Sequence, residues 1–506
     1  MTASPEAYLP PKRRGAPPGK VTTTGSALHV TLVSPEIAPL AKTGGLGDVL
    51  GFLPPVLEQL GLRVSLIMPA YRSVFNCGFP ISDTGIRFTV PVSGRGEVGK
   101  LLKTKAGNNI SLYLIAADRY FDRAYQYGTG EGDYPDNAER FIFFCRAILE
   151  VLKLDPPQIL HANDWQSALA IAFLKAQPHL YPELASVKTV FTIHNLGYQG
   201  IFGHPDWHLL DLDGSFFTPH YLEFYGKINF LKSGLVFADS ITTVSPTYAE
   251  EIKTAEQGWG LEGVLQERAA NLTGILNGVD YDTWSPEADA CIRQRYSSRN
   301  LAGKKACKAD LQRCFGLPEN PDVPVIGMVS RLTAQKGFDL LQPALAELFS
   351  HHLQFVILGT GDKPYQALFG ELPRRYPEQA GVQIAFDDTL AHKVIAGSDM
   401  LLMPSRYEPC GLTQMYSLKY GTIPVVRATG GLKDTVEEFD PKTGKGTGFV
   451  FNGYDVPELL ETLDRALALW HRKKDWTRLM QNAMTADFSW QSSAHVYLDL
   501  YRRLIS

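Results

Sequence analysis

The sequence lacks the features that mark several large classes of protein. Its 506 residues include six cysteines, with no CxxC pair and no regular spacing, so neither a disulfide framework nor a structural zinc site is expected. The net charge of −4 provides no basic surface for a nucleic-acid backbone. No apolar run reaches the roughly 20 residues that span a bilayer, and the N-terminus lacks the apolar stretch of a signal peptide. These absences favour a cytoplasmic protein that binds neither nucleic acid nor membrane.

The chain does contain a regular alternation of short apolar runs and amphipathic stretches. In the first half, strands are predicted at "ALHVTLVS", "RVSLIMP", "ISLYLIA", "QILHA", "KTVFTIH" and "SITTVS". In the second half they are predicted at "VPVIGMVS", "LQFVILG", "VQIAF", "MLLMPS", "TIPVVR" and "TGFVF". Continuous apolar runs are typical of strands covered on both faces. Because helical stretches separate them, the predicted fold class is α/β, with two doubly wound, Rossmann-like parallel sheets.

The length of the chain predicts more than one domain. Turn residues and prolines cluster in "GILNGVDYDTWSPEAD" (274–289), which suggests a boundary. We therefore place an N-terminal domain at 28–275 and a C-terminal domain at 276–485, with a last helix in 486–506 that could pack on either. Residues 1–27 are basic and rich in proline, and they are predicted to form a disordered tail.

Polar motifs follow almost every predicted strand. The first half has "PEIAPLAKTGGLGD", "HANDW" and "HNLGYQG", and the second half has "SRLTAQKG", "GTGD", "FDD", "PSRYEPCGLTQ" and "ATGGLKD". Open parallel sheets bind ligands beyond the carboxyl ends of their strands. The motifs therefore predict one large site in a cleft between the two domains.

Two of these motifs combine cations with glycines or a helix start. In "LAKTGGLGD", Lys42 stands beside Gly44 and Gly45, and the glycines indicate that the backbone comes close to a ligand. In "SRLTAQKG", Arg331 and Lys336 lie on a loop that leads into a predicted helix. Two cations near a helix start suit a diphosphate, although a solvated surface pair is the alternative.

Two further motifs of the second half offer a carboxylate and backbone donors. Glu408 follows a strand in "RYEPCGLTQ". Its carboxylate could accept hydrogen bonds from sugar hydroxyls or stabilise positive charge, or it could act as a helix N-cap partner. Thr429, Gly430 and Gly431 precede the predicted helix "LKDTVEEF". Their N–H groups could cradle a phosphate, although glycine at such a turn is also common for packing reasons.

Three polar residues end strands of the first half. His194 ends a buried strand beside Asn195, where it could contact a sugar or be a hydrogen-bonded core histidine. Asp164 could bind hydroxyl groups, or it could cap the helix predicted at "WQSALAIAFL". The residues alone leave both questions open.

The sequence offers no evident metal site. No DxD motif ends a strand, and the carboxylates of Asp387 and Asp388 in "FDD" would point apart because the two residues are adjacent. Without a metal ion, Lys42, Arg331 and Lys336 would have to neutralise an anionic leaving group.

Taken in order, the motifs resemble those of one enzyme family. "KTGGLGD", "HANDW", "FTIHNLGYQG", "TTVSPTYAEEI", "GILNGVD", "SRLTAQKG", "PSRYEPCGLTQMYSLKYGTIPVVRATGGLKDTV" and a final "FSW" occur from about residue 28 to the C-terminus. This series resembles bacterial glycogen synthases and plant starch synthases. The resemblance implies a GT-B fold, with two Rossmann-like domains facing a cleft and the last helix crossing back to the N-terminal domain. It also implies transfer of glucose from ADP-glucose to the non-reducing end of an α-1,4-glucan such as glycogen, with retention at the anomeric carbon and with neither cofactor nor essential metal.

The resemblance also implies roles for individual residues. The proposed catalytic residues are Arg331 and Lys336 at the departing diphosphate, Glu408 beside the donor glucose near the reacting centre, and His194 at the donor glucose. The implied substrate-binding residues are Lys42, Gly44 and Gly45 at the phosphates, Phe386 stacked on adenine, Asp164 near the sugar or acceptor, Gly430 and Gly431 at the glucose or phosphate, and also Asn195, Asn277 and Thr429.

Departures from the family pattern narrow the interpretation. Related glycosyltransferases carry a second glutamate eight positions after the first, where this chain has Tyr416, and this favours the synthase branch. Asn163 stands where some bacterial members have histidine.

Three alternative functions differ from this one in class or in donor. They are a UDP-glucose-dependent glycosyltransferase, a nicotinamide-dependent oxidoreductase and a non-catalytic glucan-binding homologue. The opening glycines lack the GxGxxG spacing of a dinucleotide site, which argues against the oxidoreductase. Arg331, Lys336 and Glu408 are all present, which argues against a homologue that has lost catalysis.

Overall fold

The computed structural model describes residues 27–107, 109–130 and 132–506. They form two compact units. Unit 1 contains the described residues up to Thr242 together with Gln257–Leu272 and Ala494–Ser506, and unit 2 contains Thr243–Glu256 and Thr273–Ser493. The predicted disordered tail lies outside the described residues except for residue 27. None of the described helices is both long enough and apolar enough to cross a membrane.

Up to residue 274 the described chain alternates strands with helices. The strands are β1 (His29–Val33), β2 (Arg63–Pro69), β3 (Ser82–Val92), β4 (Arg95–Lys105), β5 (Ser111–Ala116), β6 (Gly128–Thr129), β7 (Gly132–Asp133), β8 (Ile159–Asn163), β9 (Lys188–Ile193), β10 (Ile201–Gly203), β11 (Glu223–Phe224), β12 (Lys227–Asn229), β13 (Ser240–Thr243) and β14 (Leu272–Gly274). The helices are α1 (Gly45–Gln59), α2 (Asp118–Phe121), α3 (Asn137–Leu154), α4 (Trp165–Ala176), α5 (Phe230–Phe237), α6 (Pro246–Glu251) and α7 (Glu262–Glu267).

The large sheet of this region has the strand order β14-β13-β9-β8-β1-β2-β5-β4-β3. Strands β9, β8, β1, β2 and β5 pair in parallel, and β3 and β4 extend the sheet as an antiparallel hairpin. All six strands predicted for the first half are confirmed. The hairpin was not predicted, because β3 and β4 are largely exposed and carry no continuous apolar run. The sheet is therefore mixed rather than purely parallel.

Helix α3 forms much of the core of unit 1. Its segment "FIFFCRAIL" is buried around the whole helix, as the apolar residues on all its faces require. Even Arg146 is fully buried, with its guanidinium 4.0 Å from the centre of the Phe173 ring and its Nη2 donating to the Leu210 carbonyl at 2.6 Å. Burial of a charged guanidinium is costly, and the hydrogen bond and the aromatic contact together offset this cost.

Unit 2 contains a regular doubly wound sheet. Its strands are β15 (Val325–Val329), β16 (Gln354–Gly359), β17 (Ala380–Ile384), β18 (Met400–Met403), β19 (Ile423–Arg427) and β20 (Phe449–Phe451). The helices from residue 302 onward are α8 (Ala302–Cys314), α9 (Phe338–Leu348), α10 (Lys363–Gly370), α11 (Leu372–Arg375), α12 (Asp388–Gly397), α13 (Thr413–Lys419), α14 (Gly430–Thr435), α15 (Val456–His471), α16 (Lys473–Thr485) and α17 (Trp490–Ile505).

The strand order of this sheet is β17-β16-β15-β18-β19-β20, and every neighbouring pair is parallel. The six strands predicted for the second half are confirmed. Helix α14 begins at Gly430 and ends at Thr435, so the helix predicted at "LKDTVEEF" ends earlier than expected. The α/β class therefore follows from both sheets.

The chain passes between the two units more than once. Residues 243–256, which the sequence placed in the first domain, group with unit 2. There Ser245 Oγ donates to the Pro409 carbonyl at 2.7 Å, and the Thr247 N–H and hydroxyl donate to the Asp434 carboxylate at 2.8 and 2.6 Å. Residues 494–506, which include most of α17, group with unit 1. Contacts over a long sequence separation, which no local pattern encodes, decide this grouping.

Candidate active site

In unit 1, the loop between β1 and α1 is held by a buried glutamate. Glu36 accepts hydrogen bonds from the Thr43 N–H and hydroxyl, both at 2.6 Å, and from the Tyr127 hydroxyl at 2.7 Å. Lys42, next to Thr43, forms an ion pair with Asp48 at 2.8 Å between Nζ and Oδ1. The sequence prediction did not assign a role to Glu36, although its position directly after a strand was an available signal. The loop that carries Lys42 is therefore fixed by the protein itself.

The glycines of this loop differ in whether the surrounding protein leaves room for a side chain. Gly44 has an extended backbone with φ −164°, and a Cβ added there would meet nothing within 4 Å. The protein's own packing therefore does not require glycine at position 44, whereas a ligand in that open space would. A Cβ on Gly47 would lie 3.1 Å from Lys42 Cβ, so that glycine makes room for the lysine. Gly45 is the exposed first residue of α1.

Asp164 lies between β8 and α4 and does not cap the helix with its side chain. Its Oδ1 accepts the His194 N–H at 2.7 Å, and the Asn195 N–H also bonds to it. Burial raises the pKa of Asp164 to about 7, and the nearby Glu36 charge adds to this rise. Its backbone φ of 56° is unusual for a residue other than glycine. Asp164 therefore joins the ends of β8 and β9 instead of capping α4.

His194 is buried at the end of β9 and is neutral. Its Nε2 donates to Asn163 Oδ1 at 2.9 Å, and Asn163 Nδ2 donates to the Val33 carbonyl at 3.1 Å. Burial lowers the pKa of His194 to about 3, so its imidazole is uncharged at pH 7. The neighbouring Asn195 is half-buried, and its Oδ1 accepts the Gly197 N–H at 2.9 Å. His194 and Asn163 are thus uncharged at pH 7 and hydrogen-bonded to each other.

A second buried histidine lies behind this edge. His161 Nδ1 and the Tyr501 hydroxyl form a hydrogen bond of 2.7 Å, and His161 Nε2 bonds to Thr192 Oγ1 at 2.6 Å. Burial, with a smaller contribution from His194, lowers the pKa of His161 to about 3. Tyr501 belongs to the last helix, so the C-terminal residues of unit 1 reach the strand that ends in the candidate site.

In unit 2, the structure brings Lys336 and Glu408 together. Lys336 Nζ lies 2.6 Å from Glu408 Oε2, and Ser405 Oγ donates to the same oxygen at 2.9 Å. Both charged side chains are largely buried. Helix α13 begins without a side-chain cap hydrogen bond, so Glu408 does not play the N-cap role that the sequence left open. The two residues form a charged pair at the edge of the sheet.

The loops around this pair are packed closely enough to require glycine at two positions. Gly337 has φ 78° and Gly430 has φ 44°. A Cβ on Gly337 would lie 1.9 Å from the Pro404 carbonyl oxygen, and one on Gly430 would lie 2.0 Å from that of Glu408. No side chain fits at either distance. Packing therefore accounts for Gly430, which was one of the two interpretations of the "ATGGLKD" motif.

The N–H groups at the start of α14 already have protein acceptors. The Gly430 N–H donates to the two carboxylate oxygens of Glu251 at 3.0 and 3.1 Å, and Thr429 Oγ1 donates to the same carboxylate at 3.0 Å. The Gly431 N–H donates to the Glu408 carbonyl at 3.1 Å. Burial raises the pKa of Glu251. A substrate would have to displace these acceptors in order to use the same N–H groups.

The remaining predicted residues of unit 2 occupy separate positions. Arg331 is exposed on the loop after β15, and Phe386 follows β17 with 84% of its side chain exposed. Asn277 is buried, and its Oδ1 has no hydrogen-bond partner among the described residues. Asp387 caps α12 by accepting the Leu390 N–H at 2.8 Å, which explains one carboxylate of "FDD" without a metal ion.

One group of side chains in unit 2 has the composition of a metal site. The potential ligand atoms of Asp289, Cys291 and His392 lie within 4.8 Å of one another. Asp289 Oδ2 accepts hydrogen bonds from His392 Nδ1 at 2.8 Å and from the Tyr420 hydroxyl at 2.6 Å, and Oδ1 accepts the Cys291 N–H at 2.7 Å. Burial alone would raise the pKa of Asp289, but these hydrogen bonds lower it. The carboxylate is therefore satisfied without a cation.

Tyr416, at the position of the missing second glutamate, lies in an aromatic stack. Its ring is parallel to that of Trp284 at 4.1 Å, and Trp284 stacks on His392 at 3.7 Å. A carboxylate at position 416 would lose these stacking contacts. The departure from the pattern of related glycosyltransferases thus coincides with a packed aromatic cluster.

Comparison with known proteins assigns both halves of the chain to described families. Residues 29–267 match the starch synthase catalytic domain, and residues 314–483 match glycosyl transferases group 1. The chain is 48% identical over 478 residues to a glycogen synthase of Koribacter versatilis, with 94% of this chain and 98% of the relative covered. It is 45% identical over 487 residues to a glycogen synthase of Thermotoga maritima, with 95% and 99% covered.

A solved structure gives the same assignment. The catalytic domain of starch synthase IV from Arabidopsis thaliana, bound to ADP and acarbose, superposes with a TM-score of 0.87 at 32% identity, covering 95% of this chain and all of that one. This likeness confirms the predicted GT-B type of fold with Rossmann-like domains. High identity over nearly the whole length confirms the resemblance read from the motifs. The chain belongs to the glycogen synthase and starch synthase family of glucosyltransferases.

Proposed function

We propose that this glucosyltransferase transfers glucose from ADP-glucose to the non-reducing end of an α-1,4-glucan, with retention of the anomeric configuration. Membership of the family supports glucosyl transfer to a glucan from a nucleotide sugar. The starch synthase IV structure contains ADP, which supports the adenine nucleotide. The single observation that carries the site assignment is the buried pair of Lys336 and Glu408, 2.6 Å apart. A cytoplasmic location is part of the same proposal.

In this proposal, Lys336 and Arg331 stabilise the departing diphosphate. The bond between the anomeric carbon and the phosphate oxygen breaks while the acceptor hydroxyl attacks from the same face. The acceptor proton passes to the leaving phosphate oxygen, so no protein base is required. A preorganised cation is worth roughly 3–4 kcal/mol, by analogy with single oxyanion-hole donors. Glu408 holds Lys336 in place before the donor binds and then stabilises positive charge on the glucose.

The uncharged groups of unit 1 suit the neutral part of the substrate. A neutral His194, and Asp164 in its protonated form, can exchange hydrogen bonds with sugar hydroxyls without the cost of removing a full charge from water. Asn195, half-buried beside them, is proposed to do the same. The open space at Gly44 lets a phosphate approach the start of α1, with Gly45 and Lys42 beside it.

Two features of unit 2 support binding of the nucleotide and the sugar. The ring of Phe386 is 84% exposed, as an aromatic side chain that stacks on a base must be before the base arrives. The buried Oδ1 of Asn277 lacks a hydrogen-bond partner among the described residues, and a substrate hydroxyl would supply one. Thr429 and Gly430 would contribute only after Glu251 releases the Thr429 hydroxyl and the Gly430 N–H. Gly431 would contribute only after its N–H leaves the Glu408 carbonyl.

The test is incorporation of radiolabelled glucose into glycogen, with ADP-glucose and UDP-glucose compared at equal concentrations. The proposal expects a clear preference for ADP-glucose, and it expects an enzyme specific for α-1,4 linkages to release all of the incorporated label. A clear preference for UDP-glucose would overturn the assignment of the donor and favour the alternative glycosyltransferase. Incorporated label that resists the α-specific enzyme would overturn retention.

A further inference from the structure

The last helix reaches a buried strand of unit 1 through a hydrogen bond. Tyr501 of α17 lies 340 positions from His161 of β8, and its hydroxyl is 2.7 Å from His161 Nδ1. Both side chains are almost fully buried. The rings of Tyr497 and Tyr501 also pack on the imidazole, with centroids 5.8 and 5.9 Å away. These contacts fix the position of His161, a buried histidine that the proposed reaction does not use.

The hydrogen bonds continue from His161 into the neighbouring strands. His161 Nε2 bonds to Thr192 Oγ1 of β9 at 2.6 Å, and Thr192 Oγ1 bonds to Thr242 Oγ1 of β13 at 2.5 Å. We refer to Tyr501, His161, Thr192 and Thr242 as the His161 network. All four side chains are buried. The network therefore joins three adjacent strands of the large sheet to the last helix.

The His161 network lies directly behind the polar edge of the candidate site. Side chains two positions apart on a strand point to the same face of the sheet, so His161 shares one face of β8 with Asn163. Thr192 shares a face of β9 with His194, whose Nε2 bonds to Asn163 at 2.9 Å. The Thr192 carbonyl also accepts the Asp164 N–H at 3.0 Å. Thr192 is therefore joined to Asp164 by a hydrogen bond and to His194 along the same strand.

The chemistry of these groups assigns the proton of the imidazole. Burial lowers the pKa of His161 to about 3, so the neutral ring has one donor nitrogen and one acceptor nitrogen. Burial also raises the pKa of Tyr501, so its hydroxyl stays protonated. If Tyr501 donates to Nδ1, the ring proton lies on Nε2 and is donated to Thr192. The opposite order would leave the phenol proton, the most acidic hydroxyl proton of the network, without an acceptor among the described residues, which is costly in the interior.

We propose that Tyr501 is a positioning residue for the side chains that contact the glucose. It holds His161 in the tautomer with the proton on Nε2, and the bond from His161 fixes Thr192 near the end of β9. This inference rests on the proposed function, in which His194 and Asp164 bind the sugar. Groups that are fixed before the substrate arrives need no reorganisation in the transition state. A displacement of about 1 Å, even one caused far from the chemistry, can lower the rate roughly 10²-fold.

The kinetic test compares Tyr501→Phe with the unmodified chain in the ADP-glucose assay. The ratio kcat/KM for ADP-glucose should fall about ten-fold, through both a higher KM and a lower kcat, because the contacts to the glucose are displaced. The inhibition constant of ADP, which has no glucose, should stay unchanged. A variant that is merely less stable has fewer folded molecules, which lowers kcat but leaves KM as it was.

The matched control is Tyr296→Phe in unit 2. Tyr296 is also buried, and its hydroxyl donates to the Tyr420 carbonyl at 2.8 Å, so the variant loses a comparable hydrogen bond that does not involve β8 or β9. Its KM for ADP-glucose and its kcat/KM should stay unchanged.

A second pair of variants tests the next bond of the network. Thr192→Val removes the hydroxyl that bonds to His161 and should reproduce the kinetic loss, whereas Thr192→Ser keeps a hydroxyl and should retain most of the activity. Melting temperatures establish that each variant is folded, and Thr192→Val replaces Tyr501→Phe if the latter unfolds.

A spectroscopic readout does not depend on activity. NMR spectra of the protein with isotope-labelled histidine distinguish the two tautomers, and the signals of His161 are identified by their loss in His161→Gln. The proposal expects the proton on Nε2 in the unmodified chain and a mixture of both tautomers in Tyr501→Phe.

An unchanged tautomer in Tyr501→Phe, or an unchanged kcat/KM in the folded variant, would overturn the proposal. Equal losses in Tyr501→Phe and Tyr296→Phe would also overturn it, since both would then reflect stability alone. If the protein transferred no glucose from ADP-glucose, the spectra would still report the tautomer of His161. The failure of the proposed reaction and the failure of this inference are therefore distinguishable.

Discussion

The two units place opposite kinds of group at the carboxyl edges of their sheets. In unit 1, His194 and Asp164 are buried, and the pKa of His194 falls to about 3 while that of Asp164 rises to about 7. In unit 2, Lys336 and Glu408 are largely buried but form an ion pair of 2.6 Å. One edge therefore offers groups held in or near their neutral forms, and the other offers paired charges.

The difference shows how burial and pairing compete. Burial without an opposite charge favours the neutral form of an ionisable group, whereas an opposite charge within hydrogen-bond distance favours the ionised form. Asp164 receives only backbone N–H groups and faces the charge of Glu36. Glu408 receives both an ammonium and a hydroxyl group. A nucleotide sugar has a neutral glucose and a charged diphosphate, so a transferase needs both environments.

The largest effect on activity is expected when one member of the pair of Lys336 and Glu408 is removed. Lys336→Ala and Glu408→Ala should each lower kcat by about 10²–10³-fold, the effect of losing one preorganised electrostatic contact. Removal of one partner also leaves the other buried and unpaired, so the melting temperature should be measured alongside initial rates of glucose transfer.

The matched control is Glu371→Ala, which removes one partner of the exposed pair Glu371–Arg374 in the same unit and should leave kcat unchanged, because exposed pairs contribute little. If Lys336→Ala and Glu408→Ala both retained near-normal rates, the pair would not belong to the reaction centre.

The neutral edge of unit 1 can be tested through the pH dependence of stability. The pKa of Asp164 is raised from 3.8 to about 7, so the unfolded chain loses this proton at a lower pH than the folded protein does. Stability therefore falls as pH rises from about 4 to 7. Asp164→Asn removes this penalty, so its free energy of unfolding, measured by denaturant unfolding at several pH values, should rise relative to that of the unmodified chain across this window by up to about 4 kcal/mol, at about 1.4 kcal/mol per pKa unit.

Asp213→Asn is the control of opposite sign. Hydrogen bonds from Ser215 and the backbone lower the pKa of Asp213. The stabilisation from the ionised Asp213 is present above the unfolded pKa and is lost as pH falls. The free energy of unfolding of this variant should therefore fall relative to that of the unmodified chain as pH rises. A difference between Asp164→Asn and the unmodified chain that does not change with pH would contradict the raised pKa of Asp164.

A smaller effect is expected from the hydrogen bond behind the neutral edge. Tyr501→Phe leaves His161 Nδ1 without its partner and should lower the free energy of unfolding by about 2 kcal/mol, the cost of a buried polar group that loses its hydrogen bond. Denaturant unfolding measures this change. Tyr125→Phe, at an exposed tyrosine of the same unit, should have no effect, and equal losses in the two variants would contradict a special role for the Tyr501 hydroxyl.

The smallest effect is expected at the exposed ring of unit 2. Phe386→Ala should raise KM for ADP-glucose about ten-fold, because stacking on a base contributes about 1–3 kcal/mol. The control is Ile384→Ala, at an exposed residue that ends β17, the strand that Phe386 follows. An unchanged KM in Phe386→Ala would remove this ring from the proposed nucleotide site.

Local sequence patterns predicted the sheets well and the site residues less completely. The strands with continuous apolar runs were all found, whereas β3 and β4 were missed because their exposed residues give no such run. The residues of the motifs lie where strands end, as expected for parallel sheets. Glu251 was not predicted, because its backbone partner Gly430 is 179 positions away. Glu36 was overlooked although it follows β1 closely and accepts the Thr43 N–H only seven positions away.

The sequence by itself determined the α/β class, the strand positions and the family, because apolar periodicity and contiguous motifs are local properties of the chain. Only the tertiary structure decided which ionisable groups are buried and which of them are paired with an opposite charge. Lys336 and Glu408 are 72 positions apart, and Asp164 and His194 are 30 apart. The pKa of an ionisable group depends on its burial and on the charges within a few ångströms, and folding alone sets both.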